Sequence, residues 1–91
     1  MDFDRLPGGA LIRSGLDDLA ARRESDAALL VLIGSPRLRR LGFPVPAEPP
    51  AGVEHRLYAR LSAEHPDSAH ARYNTLIRVL VRFERAVECA T

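Results

Sequence analysis

Glu64, His65, Asp67 and His70 place two carboxylates and two imidazoles within seven residues, the densest group of acid–base or metal-binding side chains in the chain. Such groups serve as general acids, general bases and ligands for divalent metals. A paired-histidine metal site on a helix needs its ligands four residues apart on one face, as in H-E-x-x-H. Here the spacing is five and Pro66 intervenes. Asp67 and Ser68 already suit the cap of a following helix, and a histidine near a helix C-terminus, as His65 would be, is electrostatically favoured. His65, Asp67 and His70 are therefore weak metal-ligand candidates, and no metal is expected. An enzyme would have to rest on these four side chains alone.

The sequence carries no Cys/His ligand set for zinc, no G-x-S-x-G elbow, no P-loop and no dinucleotide fingerprint. Cys89 is the single cysteine, so no intramolecular disulfide forms. It has no neighbouring histidine to act as its base and reads as a small, half-buried apolar residue. Neither catalysis nor a cofactor is predicted.

Arginine supplies the other candidates. All thirteen cationic residues are arginine, a bias expected of a GC-rich bacterial coding sequence before any selection for guanidinium chemistry. Arg37, Arg39 and Arg40 crowd one short segment, and Arg78, Arg82 and Arg85 recur at helical spacing in another. Both groups are candidates for binding an anion or a partner, the plainer alternative for the second being a solvated helix face. The net charge is only +1 and the pI close to 8.0. That balance disfavours a nucleic-acid protein working through bulk electrostatics.

Residues 32–41, Leu-Ile-Gly-Ser-Pro-Arg-Leu-Arg-Arg-Leu, resemble a helix-hairpin-helix element, whose G-x-G turn offers backbone amides to a phosphate. Pro36 stands where the second glycine would be and has no amide to offer. Helix-turn-helix readers also pair two helices, but their recognition helix is longer than this one.

These residues must be positioned by helices. Leu and Ala dominate the apolar set, aromatics number five, and β-branched residues are sparse, a composition that favours α over β. Residues 11–23 repeat Ile12, Leu16 and Leu19 on one face. Gly15 weakens that helix by about 1 kcal/mol unless another helix packs closely against it. Ser25 suits an N-cap for a second helix over 26–33, apolar on every side and so central and buried. Ser35 and Pro36 read as the cap and first position of a short helical turn at 36–41, ended by Gly42. Residues 43–52 hold four of the seven prolines and read as an extended connector. Residues 1–10 read as an irregular lead-in. The next helix spans 53–65 on Val53, Leu57 and Leu61, with an Arg60–Glu64 pair on its surface.

The last helix, from Asp67 or Ser68 to about Cys89, has the clearest pattern. Ala69, Tyr73, Leu76, Leu80, Phe83, Val87 and Ala90 recur at alternating spacings of four and three. Ile77 and Val81 flank this stripe on one side and Val79 and Ala86 on the other, giving an apolar arc of roughly 220° at 100° per residue. An arc that wide needs two or more neighbours. Where the chain's own helices fall short, a second copy would complete it. Glu84 lies inside the arc and is expected at its edge, paired with an arginine of another helix, the alternative being a buried, perturbed carboxylate.

The fold expected is all-α: one domain over 1–91, a compact bundle of four main helices plus a short helical turn, with the long C-terminal helix as its spine. The longest apolar run, 27–33, falls short of the roughly 20 residues that span a bilayer. No signal segment opens the sequence, so a soluble cytoplasmic protein is expected. The expected function is interaction with a protein partner, or self-association as a homodimer, through helix faces. The alternative is association with nucleic acid through the two arginine groups.

Overall fold

The computed structural model describes residues 3–46 and 48–90. Met1, Asp2, Ala47 and Thr91, which the expected lead-in, connector and domain span include, lie outside the described residues. After a 3-10 turn at Phe3–Arg5 come α1 (Gly9–Ala20), α2 (Asp26–Ile33), α3 (Ser35–Arg40), α4 (Val53–Glu64) and α5 (Ala69–Ala90). The described residues contain no strand. The bundle measures 38 × 24 × 19 Å, and α5, about 33 Å long at 1.5 Å per residue, sets its long axis.

The all-apolar segment is the centre of the fold. Ala27 through Leu32 of α2 are all buried, because α1, α4 and α5 each pack against this helix. Its start is fixed by Ser25, whose Oγ accepts a hydrogen bond from the Ala28 N–H (3.0 Å) and donates one to Asp18 Oδ2 (2.6 Å). Gly15 of α1 is buried against α2. A Cβ there would sit 2.5 Å from Val31 Cγ2 and closer still to the Ala27 carbonyl oxygen. The glycine is therefore the close helix contact that its poor propensity required.

Gly34 alone separates α2 from α3, and Ser35 falls inside α3 rather than capping it. At its other end the Gly42 N–H bonds to the Arg39 carbonyl and the Phe43 N–H to the Leu38 carbonyl. This is a Schellman closure with Gly42 at φ +98°. The described part of the connector runs without helix until a turn at 51–52, and Val45 anchors it in the core. In α4, Val53, Leu57 and Leu61 face inward, as their spacing predicts.

Three local expectations are corrected. The lead-in is not irregular throughout, because Gly8 at φ +77° starts α1 at Gly9. That helix ends at Ala20 rather than residue 23. Arg22 takes the left-handed position (φ 59°) usually given to glycine, and the N–H groups of Arg22 and Arg23 turn back to Leu19 and Asp18. Arg60 does not pair with Glu64. Its Nε donates to Asp26 Oδ1 (3.1 Å) and its Nη1 lies 3.6 Å from Glu24, since the start of α2 offers two carboxylates beside α4.

Candidate partner-binding face

Of the histidine and carboxylate group only Glu64 and His65 stay together, with His65 Nε2 4.0 Å from Glu64 Oε2. His65 lines a groove with Asp26, Leu61, Ser68, Arg72 and Leu76, while Asp67 is exposed. His70 shares a hydrogen bond with Asn74 (3.1 Å). Ser68 sits at the cap position of α5, accepting the Arg72 N–H on its carbonyl and the Arg72 Nε on its Oγ. Among the described residues no three His, Cys, Asp or Glu side chains converge as metal ligands.

The first arginine group is largely consumed inside the fold. Arg37 reaches from α3 to α5, where it pairs with Glu88 and lies 3.7 Å from Glu84. Burial pushes the Glu84 carboxyl above its ordinary range, and Glu88 adds to this. Arg37 and Arg40 pull the other way without prevailing. The Glu88 contact in turn raises the Arg37 guanidinium. Arg39 pairs with Glu48 and donates from Nη2 to the Val45 carbonyl (3.0 Å), which ties the connector to α3. Arg40 is exposed.

Glu84 is not at an edge. It is 4% exposed, although it does face an arginine of another helix. Gly34 makes the space, for a Cβ there would lie 2.8 Å from Leu80 Cδ1 and 3.4 Å from Glu84 Oε2. The adjacent Ser35 hydroxyl is fully buried with no hydrogen-bond partner among the described residues. Sequence reasoning missed this junction because its two halves lie some fifty residues apart.

Arg78, Arg82 and Arg85 stand differently. All three are exposed, and none forms an ion pair or side-chain hydrogen bond among the described residues. Together with Ile77 and Val81 they line a shallow groove of about 310 Å³ on α5. The apolar arc is covered unequally. Leu80, Phe83 and Val87 are buried in the core, and on one flank Val79 is met by Gly8. On the other flank Ile77 is half-buried against the core cluster, and Val81, half-buried like Val79, lies outside that cluster. Cys89 is exposed rather than half-buried. Standing seven residues after Arg82, it shares that outward face.

Among the described residues no helix is long and apolar enough to cross a membrane. No protein-family model, curated protein or solved structure matches the chain.

Proposed function

We propose that the chain is a non-catalytic protein-interaction module whose docking face is the outer side of α5. One observation carries this reading: Arg78, Arg82 and Arg85 have no ion pair or side-chain hydrogen bond among the described residues and flank the half-buried Ile77 and Val81. Most of the chain's other guanidiniums are spent on internal carboxylates, as at Arg37, Arg39, Arg56 and Arg60. Apolar side chains beside unspent arginines are the composition of protein contact surfaces, where arginine is enriched. Nucleic-acid association is the weaker reading, since two members of the Arg37, Arg39 and Arg40 group already bind the chain's own carboxylates.

Photo-crosslinking in cells tests the reading. A photoreactive amino acid at position 81 is expected to give a discrete protein adduct. The same residue at position 14, on the exposed side of α1, should give none. Adducts to nucleic acid at position 81, or identical patterns from both positions, would refute the proposal.

A further inference from the structure

We infer that the occupant of this face is an acidic amphipathic helix of another protein, with carboxylates at i, i+4 and i+7 beside two apolar side chains one turn apart. The inference rests on the interaction-module reading and adds the chemistry of the partner. Arg78, Arg82 and Arg85 cover about 10.5 Å of helix, and Ile77 and Val81 lie one row over, spaced by a turn. A helix laid along α5 repeats at the same pitch. Three carboxylates can then meet three guanidiniums while two apolar side chains enter the groove. Arginine suits this use because its planar fork gives two parallel donors to one carboxylate.

A second copy fits poorly. A twofold dimer sets one patch against itself. In an antiparallel α5 pair centred between Val81 and Arg82, Arg78 would face Arg85 and the two Arg82 residues would lie about 1.5 Å apart along the axis. The only carboxylates on α5 are Glu84 and Glu88, and both face Arg37. A nucleic-acid backbone would match the guanidiniums but leave Ile77 and Val81 against phosphates. The net charge of +1 adds no wider basic field to draw it in.

Fluorescence anisotropy with the purified chain and four labelled probes decides the matter. The probes are a Leu/Glu helical peptide of this pattern, the same peptide with Lys for Glu, the same with Ser for Leu, and a short DNA duplex. The Leu/Glu peptide is expected to bind about tenfold or more tighter than the other three, a difference well within the reach of charge-paired contacts. Reversing all three charges (R78E, R82E and R85E together) should invert the preference between the Glu and Lys peptides, which a misfolded variant could not do. Equal binding of the Lys peptide would overturn the acidic partner and leave the interaction module standing. Equal binding of the Ser peptide or the duplex would overturn the amphipathic helix. Concentration-dependent dimerisation abolished by V81E would put a second copy in its place. If no peptide binds while the position-81 protein adduct persists, the inference alone falls; if the adduct is also missing, both fall.

Discussion

Replacing Gly15 with alanine pits two well-calibrated effects against each other at one site. In an isolated helix the change stabilises by about 1 kcal/mol, because alanine loses less conformational freedom. Here the added methyl would meet the Ala27 carbonyl and Val31 Cγ2 at 2.5 Å or less, well inside van der Waals contact. Overpacking of a tight core costs about 1–3 kcal/mol. The upper part of that range applies, since the obstruction is partly backbone of the fully packed α2 and not the free end of a side chain. The contact term therefore wins, leaving Gly15→Ala destabilised by about 1–2 kcal/mol, or a fall in Tm of roughly 5–15 °C for a domain of this size. Thermal melts followed by circular dichroism measure it, with Ser14→Ala on the exposed side of the same helix as the control. That control should hold or slightly raise Tm. A Gly15→Ala protein that melts at or above the parent temperature would show that α1 and α2 do not approach this closely.

Ser25→Ala removes the α2 cap and the Asp18 partner together, and should cost about 1 kcal/mol in urea unfolding. A change within error would mean the cap contributes nothing. Arg22→Gly should gain about 0.5–1 kcal/mol, because glycine accepts the left-handed backbone at φ 59° without penalty; a loss in the same assay would contradict it. The raised Glu84 carboxyl contributes stability that is full below the unfolded-state pKa of about 4 and is lost as pH rises through the folded value. Glu84→Gln should therefore be more favourable to stability at pH 7 than at pH 4 in urea unfolding, so equal effects at the two pH values would count against burial as the dominant cause.

What the sequence made legible was whatever short-range pattern determines. The all-apolar run 27–33 identified the central helix, and Ser25 and Gly42 marked their boundaries, because capping and left-handed closure need particular residue types within a few positions. The end of α1 escaped because arginine occupies the left-handed site at Arg22, where only the tertiary surroundings specify that backbone. Arg60 was assigned to its i+4 neighbour, yet the two carboxylates at the head of α2 lay closer in space. Cys89 was read from its small size when its position on the helical wheel, seven beyond Arg82, already pointed outward.

The same contrast separates the two arginine groups, which the sequence presents as equivalent. Arg37 and Arg39 lie on a six-residue helix held between α5 and the connector, and each finds a carboxylate there, Glu88 and Glu48. Arg78, Arg82 and Arg85 lie on the outer side of a helix covered on its core face by the bundle and on one flank by the N-terminal segment. Among the described residues no carboxylate pairs with them, and the adjoining Val81 stays half-buried outside the core cluster. An arc of roughly 220° was too wide for the helices available. The part left over, at Val81, adjoins three arginines that form no ion pair among the described residues, and the proposed docking face rests on that coincidence.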